Sequence, residues 1–200
     1  MDQQGEWEAS ASTDVGAVVS MVEGHEGQAV RLDYDFNGKA GYAVVSRALP
    51  FDLPDNYELS FWVRGEGPIN TFEVKLTDAA ADNVWWKQTA RYDFPDGWTR
   101  FVIKRRQVSK AWGPSPETVL RRAERVEFVV VAADGGKGAV EIDQLSLRAL
   151  SVDPLSPPQP TASASSTGSD PSAAVDLDLK TAWTSPVQGR SRLELDLGYE

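Results

Sequence analysis

Five side chains in the first half of the chain combine aromatic and cationic character on predicted β-strands. They lie in the segments YELSFWVRG, TFEVKLTD and DNVWWKQTARYDF, and they are Trp62, Arg64, Lys75, Trp85 and Lys87. An indole packs against the C–H bonds of a pyranose ring, while charged groups bond to its hydroxyls. We expect at least one of the two tryptophans to face a ligand. The alternative is that both lie under a loop or in a second core layer.

Two adjacent tryptophans, Trp85 and Trp86, lie in the middle of one of these predicted strands. Successive side chains on a strand point to opposite faces, so both indoles cannot enter the same core. If Trp86 shares a face with Gln88, then Trp85 shares the other face with Lys87. The strand register decides which of the two faces is buried, and the sequence alone leaves that register open.

Catalytic chemistry is restricted by the residue types that the chain lacks. It contains no Cys and a single His, His25, which excludes thiolate zinc sites, Cys nucleophiles and His-based triads. We expect His25, in EGHEG, to be a turn residue packed on an edge of the fold. Glu141 and Asp143 match the first two acids of a Glu-x-Asp-x-x-Glu strand motif of jelly-roll glycosidases, but the third position is Ser146. Retaining hydrolysis needs two carboxyl groups about 5 Å apart, so we predict no catalysis within these residues.

The charge balance argues against a nucleic-acid partner. The formal net charge is −10, whereas phosphate binding needs a cationic surface. Residues 100–125 nevertheless hold eight Lys or Arg against two Glu. This basic segment is interpreted either as solvated strand faces or as a patch suited to an anionic ligand.

Neither a membrane span nor a secretory signal is present in the sequence. No apolar run approaches the roughly 18 residues that a bilayer-spanning helix needs. The opening MDQQGEWEAS lacks the basic and then apolar pattern of a signal peptide. The protein is therefore either intracellular or carries a signal outside this sequence.

The elements that must position these side chains alternate in hydrophobicity with a period of two. AVRLDYDF, for example, places Val30, Leu32 and Tyr34 on one face and Arg31 and Asp33 on the other. Similar segments recur up to residue 150, separated by turn signals such as FNGKAG, LPDN, FPDG and DGGKG. The only helix candidate is PSPETVLRRA.

Roughly nine such strands joined by short Gly, Pro and Asn turns predict an all-β fold. We expect an antiparallel β-sandwich with jelly-roll order, of the galactose-binding-domain-like kind. The Cys–Trp–Cys spacing of immunoglobulin domains is missing, which favours the jelly roll.

The composition changes at residue 150 and predicts three regions. Residues 1–150 are predicted to form the jelly-roll domain, and residues 151–172 a linker rich in Pro and Ser. Residues 173–200 resume with a Trp and one alternating strand, which is too little to cover a hydrophobic face. We interpret them as the incomplete start of a second domain.

The first region resembles the N-terminal jelly-roll modules of multidomain bacterial carbohydrate-active proteins, akin to family 11 carbohydrate-binding modules. The segments that carry the likeness are EGHEGQAVRLDYDF, GYAVVSRALPFDLPDNYELSFWVRGEGPINTFEVKLTD, DNVWWKQ, AWGP and GAVEIDQLSL. The resemblance implies a non-catalytic module that binds a polysaccharide or oligosaccharide. It also implies an extracellular or periplasmic location and a catalytic domain further along the same chain. The alternatives are a cytoplasmic protein and a structural domain that docks on a neighbouring glycoside hydrolase domain without binding glycan.

Residues 161–200 are similar to the opening of a discoidin domain, the coagulation factor 5/8 type C family. The matching segments are ASASS, AAVDLDLKTAW and LELDLG, although Leu177 replaces the Gly that family members typically carry. The resemblance implies that Asp176, Asp178 and Thr181 belong to a Ca²⁺-binding loop. Only the start of such a domain is present, so we expect this segment alone to bind little.

The resemblance to carbohydrate-binding modules also implies a structural Ca²⁺ ion away from the sugar-binding face. Asp143 matches the late acid of that pattern, with Glu26 and the N-terminal Glu6 or Glu8 as partners. A Ca²⁺ ion takes several oxygen ligands at once, so it would pin separate chain segments together. The alternative is that these are ordinary exposed carboxylates.

Overall fold

Alternating apolar positions in the first part of the chain produce two antiparallel sheets. The computed structural model of the protein describes residues 6–150, 160–165, 169–176, 181–185 and 191–196. The chain divides into two compact units, Met1–Ser151 and Val152–Glu200. The strands of the first unit are β1 Glu8–Ala11, β2 Gly16–Glu23, β3 Gln28–Asp35, β4 Tyr42–Asp52, β5 Tyr57–Glu66, β6 Asn70–Thr77, β7 Val84–Tyr92, β8 Thr99–Lys104, β9 Ser109–Trp112, β10 Arg122–Val131 and β11 Lys137–Ala149.

The strands form one six-stranded and one five-stranded sheet. The six-stranded sheet has the order β1-β4-β10-β6-β7-β9, and the five-stranded sheet has the order β2-β3-β11-β5-β8. The chain passes from one sheet to the other between β3 and β4, β4 and β5, and again at most later connections. This crossing pattern, with every pairing antiparallel, confirms the predicted all-β jelly-roll sandwich.

The core lies between the sheets and is centred on aromatic side chains. Phe61 of the five-stranded sheet meets Phe128 of the six-stranded sheet edge to face, with ring centroids 4.9 Å apart. Phe72 lies beside them, and all three rings are almost completely buried. Each buried Phe contributes about 1.5–3 kcal/mol relative to an exposed one, so this cluster clamps the two sheets together.

The sequence pattern predicts roughly nine strands, whereas the described residues 6–150 contain eleven. β1 and β9 are four-residue strands, too short for their alternation to stand out. β2 is an edge strand whose side chains are mostly exposed or half-buried. Such strands gain their order from pairing with a neighbour rather than from their own pattern.

The helix expected in PSPETVLRRA does not form. Residues 114–121 are irregular, and β10 begins at Arg122. Pro114 and Pro116 remove two backbone donors, and the segment instead covers the indole of Trp85. Tertiary packing therefore overrides the local helix preference here.

The second unit contains one antiparallel pair and one short helical turn among its described residues. β12, Thr161–Ala164, pairs with β13, Leu193–Asp196, and a 3₁₀ turn spans Pro171–Ala174. β12 thus lies inside the segment 151–172 that was predicted as a linker, of which residues 151–159 lie outside the described part. No helix among the described residues is long and apolar enough to cross a bilayer.

Candidate functional site

The structure does not bring the five predicted ligand-binding side chains together. Trp62 and Arg64 lie on the outer face of the five-stranded sheet, because the alternate residues Phe61 and Val63 on the same strand point into the core. The other three belong to the six-stranded sheet. Lys75 is on its outer face, whereas Trp85 and Lys87 are on the side that faces the core.

The structure contradicts the prediction that Trp85 contacts a ligand. Its cross-strand partner on β6 is the core residue Leu76. The indole is only 3% exposed and belongs to the main hydrophobic cluster. Its Nε1–H donates to the carbonyl oxygen of Thr118, 3.0 Å away, so the polar end of the ring is satisfied inside the fold. Trp85 is therefore a core residue.

The prediction was also wrong for Lys87. Its cross-strand partner on β6 is the core residue Val74, so the stem of Lys87 lies on the inner side of the sheet. Its ammonium group donates to the carbonyl oxygen of the neighbouring Gln88, 2.7 Å away. The long apolar stem covers the core while the charged end reaches the surface.

The outward tryptophan of the pair is Trp86. It lies opposite Lys75 on β6 and opposite Ser109 on β9, and all three share the outer face of the six-stranded sheet. The cross-strand partners continue this row over the whole sheet. Its members are Ser109, Trp86, Lys75, Glu127, Ser46 and Glu8.

One end of this row is aromatic. The rings of Trp86 and Trp112 meet edge to face with centroids 5.6 Å apart, and Trp112 is 49% exposed. The Lys75 ammonium nitrogen lies 5.1 Å from the centroid of Trp112 and 6.0 Å from that of Trp86. This cation–π contact fixes both indoles at the sheet surface.

Gly113 allows Trp112 to take this position. The residue after Trp112 has φ of +121°, a conformation that side chains other than that of glycine rarely adopt. A Cβ there would lie 2.4 Å from the side-chain oxygen of Asn83 and 2.6 Å from the carbonyl oxygen of Asp82. The chain therefore turns sharply behind Trp112 and leaves the ring facing outward.

The centre of the row is polar and tightly paired. Lys75 forms an ion pair of 3.0 Å with Glu73, whose other oxygen accepts a 2.7 Å hydrogen bond from the Gln88 amide. Glu127 is half-buried beside Lys75, and burial raises its pKa above the ordinary value, although Lys75 and Arg125 both oppose the rise. These groups offer carboxylate, amide and ammonium partners in fixed positions.

The far end of the row carries a second charged pair. Arg125 donates to the Ser46 hydroxyl at 2.9 Å and lies 3.3 Å from a carboxylate oxygen of Glu8. Tyr42, 46% exposed, stands on the same face further along β4. Six strands about 4.8 Å apart span about 24 Å, so this face has room for an extended chain of several sugar rings.

On the outer face of the five-stranded sheet, aromatic and charged side chains pack against one another. The His25 ring stacks on Trp62 with centroids 3.9 Å apart, and the guanidinium carbon of Arg64 lies 4.6 Å from the centroid of Trp98. His25 thus packs on the fold from the β2–β3 turn, as expected. Trp62 has one face occupied by His25 rather than open to a ligand.

Glu141 is held in an ion-pair network on this second face. Its two carboxylate oxygens accept hydrogen bonds from Arg31 at 2.8 Å and from Arg64 at 2.6 Å. Arg31 also pairs with Asp33 and Glu66, and these carboxylates raise its pKa further above its already high ordinary value. Both oxygens of Glu141 are therefore committed to arginines.

Asp143 and Glu26, two of the predicted calcium ligands, lie close together. The Asp143 carboxylate accepts amide hydrogens from Glu26 at 2.9 Å and from Gln144 at 2.7 Å, and the Glu26 carboxylate accepts from the Gln144 side chain. Asp143 thereby ties the β2–β3 turn to a bulge in β11. No group of three or more His, Asp or Glu side chains in the described parts of the chain is arranged to hold a metal. Two carboxylates alone do not fit the ligand number of Ca²⁺, so backbone carbonyls would have to complete such a site.

The calcium-binding loop predicted for the second unit is only partly visible. The Thr181 hydroxyl donates to the Asp176 carboxylate at 2.7 Å. Asp178, the third predicted ligand, lies outside the described residues. The loop therefore remains a prediction.

Sequence comparison does not place the chain in a family. It matches no known protein-family profile, and no curated protein is similar to it at a significant level.

Solved structures nevertheless share its fold. The family 11 carbohydrate-binding module of the cellulosomal cellulase Lic26A-Cel5E of Clostridium thermocellum is 15% identical, covers 72% of this chain and 88% of its own, and has a TM-score of 0.58. A Clostridium thermocellum family 11 module in complex with a β-1,3-1,4-mixed-linked tetrasaccharide is 16% identical, with the same coverage and TM-score. PfGH50B is 14% identical with a TM-score of 0.50, and covers 73% of this chain but 23% of its own. At these identities the similarity shows a common β-sandwich fold.

Proposed function

We propose that the first unit is a non-catalytic carbohydrate-binding module whose glycan lies across the outer face of the six-stranded sheet. The observation that carries this proposal is the row from Trp86 to Glu8, in which the partly buried Trp86 and the exposed Trp112 stand at the end of a line of polar groups. Aromatic rings at one end supply affinity, and the fixed polar groups select and orient hydroxyls.

The fold comparison supports a sugar ligand. The two Clostridium thermocellum structures that share the fold are named as carbohydrate-binding modules, and one of them holds a mixed-linked tetrasaccharide. A site about 24 Å long would accept several sugar rings, so the ligand is a polysaccharide or oligosaccharide rather than a monosaccharide.

The wider setting of the module is part of the proposal. We place the chain in an extracellular or periplasmic bacterial protein in which a catalytic domain, such as a glycoside hydrolase, follows the module. The second unit is proposed as the start of a discoidin-type domain. Calcium is proposed as a structural ion near Asp143 and Glu26.

Replacing the two outward indoles tests the proposal. We expect Trp86→Ala and Trp112→Ala each to weaken the affinity for a neutral polysaccharide about tenfold or more. Each variant loses a stacking surface that contributes at least about 1.4 kcal/mol, and that free energy corresponds to a factor of about ten in the dissociation constant. Affinity electrophoresis with a β-1,3-1,4 mixed-linked glucan, a xylan and a galactan measures the retention.

Trp62→Ala is the matched control, because it removes an indole from the opposite sheet. It should leave the retention unchanged. Loss of binding in Trp62→Ala alone would move the site to the five-stranded sheet. If the unsubstituted chain is not retained by any glycan, the alternative of a docking domain for a neighbouring hydrolase replaces the sugar-binding proposal.

A further inference from the structure

A cavity lies on the outer face of the five-stranded sheet, on the opposite side of the sandwich from the proposed glycan face. It has a volume of about 290 Å³. Its lining residues are Arg31, Arg64, Gly65, Glu66, Asp96 and Glu141. This volume has room for a single sugar ring.

The floor of the cavity is rigid. Glu141 is buried and bridges Arg31 and Arg64, and Arg31 is further held by Glu66 and Asp33. Opposed charges that are fixed by several partners do not have to reorganise when a ligand arrives. The cavity is therefore preorganised around the Arg31–Glu141–Arg64 network.

Two polar groups at the rim retain bonding capacity. Arg64 uses its Nε–H for Glu141 and its flat face for Trp98, and its terminal amino groups have no hydrogen-bond partner among the described residues. The exposed carboxylate of Asp96 likewise forms no hydrogen bond or ion pair within the described part of the chain. A donor group and an acceptor group thus face the same space, and Trp98 packs against the guanidinium of Arg64 without lining the cavity itself.

The charges of the lining residues define the class of ligand. Three carboxylates and two guanidinium groups leave a net negative balance, which disfavours an anion. The acids are not arranged as a metal-binding group in the described residues, which disfavours a cation site. A sugar hydroxyl both donates and accepts, so a neutral polyol matches a free guanidinium and a free carboxylate together.

We propose that this Arg64–Asp96 cavity is a second binding site, separate from the six-stranded sheet, that takes one neutral sugar unit. Its hydroxyls would accept from the terminal amino groups of Arg64 and donate to the carboxylate of Asp96, while Trp98 holds the guanidinium of Arg64 in place. This site does not depend on the outcome for the glycan face, because no residue is shared between the two.

A nuclear magnetic resonance titration of the full chain tests the second site. The probes are D-glucose, D-galactose and D-xylose, with D-glucuronate as the charged counterpart. The Trp98 indole N–H and the Arg64 Nε–H are the reporters. We expect at least one neutral sugar to shift both signals saturably, with a dissociation constant of about 1–10 mM as a ligand of roughly a dozen heavy atoms allows.

Variants separate this site from the glycan face and from a merely structural role. The shifts should persist in the double variant Trp86→Ala/Trp112→Ala, whose glycan face is removed. Asp96→Ala should weaken the binding at least fivefold, and Asp93→Ala, an exposed acid on the same loop but outside the cavity lining, should not change it.

Any of four results would overturn the proposal. Three are the absence of saturable shifts at both reporters with all three neutral sugars, equal binding of glucuronate, and equal behaviour of the Asp96→Ala and Asp93→Ala variants. Disappearance of the shifts in the Trp86→Ala/Trp112→Ala variant would also overturn it, because the signal would then come from the other face.

Discussion

Two neighbouring tryptophans in β7 have opposite roles because successive side chains on a strand point to opposite faces. Trp85 fills the core and bonds to the Thr118 carbonyl, whereas Trp86 joins Lys75 and Trp112 on the outside. Trp85 therefore contributes to the stability of the core, whereas contact with a ligand is proposed for Trp86.

Replacing Trp85, the inner indole, should destabilise the folded protein without altering the side chains of the proposed binding surface. We expect Trp85→Ala to lower the free energy of unfolding by about 3–5 kcal/mol, because it leaves a large cavity in the core. Trp86→Ala should cost about 1 kcal/mol or less, since the ring is partly exposed. Chemical denaturation of both variants measures the difference. Equal losses of stability would contradict the assignment of the two faces.

At the scale of the elements, the six-stranded sheet creates the proposed site by aligning residues from all of its strands. Trp86 and Lys75 are adjacent only because β6 and β7 pair in one particular register, and Glu127 joins them from β10, which is distant in the sequence. A shift by one residue would send this row into the core. The sheet register thus determines the binding surface as well as the core.

The half-buried Glu127 should make the stability of the fold depend on pH. Its folded-state pKa is raised by burial, so the carboxylate is destabilising when charged, despite Lys75 and Arg125 nearby. The penalty is complete above the raised folded-state pKa and absent below the unfolded value of 4.5. Stability should therefore increase as the pH falls through the folded-state pKa.

Comparison with Glu127→Gln isolates this effect, because the amide cannot titrate. We expect the stability of the unsubstituted protein, relative to that of Glu127→Gln, to increase as the pH is lowered from about 7 to about 4. Urea denaturation at several pH values measures it. A difference that stays constant, or that falls with decreasing pH, would show that burial does not control this carboxylate.

At the scale of the whole molecule, the first unit has a core of its own that closes between its two sheets. The clustered rings of Phe61, Phe72 and Phe128 belong entirely to this unit. Its two broad outer faces carry the proposed glycan site and the Arg64–Asp96 cavity. If both proposals hold, one sandwich presents separate surfaces to separate ligands.

Residues 1–151 produced alone should fold and unfold in a single cooperative transition, because the core is complete within them. Calorimetry of this fragment measures the transition.

If Ca²⁺ binds near Asp143 and Glu26, EDTA should lower the melting temperature of this fragment, since a ligand of the folded state stabilises it. Calorimetry with and without EDTA measures this effect. The same melting temperature in both conditions would contradict the calcium proposal, and Asp143→Asn, in which EDTA should have no effect, is the matched control.

The sequence by itself determined the fold class of the first unit. The period-two alternation in segments such as AVRLDYDF and YELSFWVRG reflects the two faces of a strand, one buried and one wet, so it survives in any arrangement of the sheets. The short turn segments between them were likewise local signals. The absence of Cys and the single His also excluded whole classes of catalytic site, because those sites require residue types that the chain does not contain.

Only the tertiary structure decided which residues meet. The sequence placed Trp62, Arg64, Lys75, Trp85 and Lys87 on alternating positions, but the structure puts them on three different surfaces of two sheets. Trp86 and Glu127 were missed because their meeting depends on the pairing of β6 with both β7 and β10. Local alternation tells which side chains share a face of one strand, whereas the register and the order of strands are set by packing between distant segments.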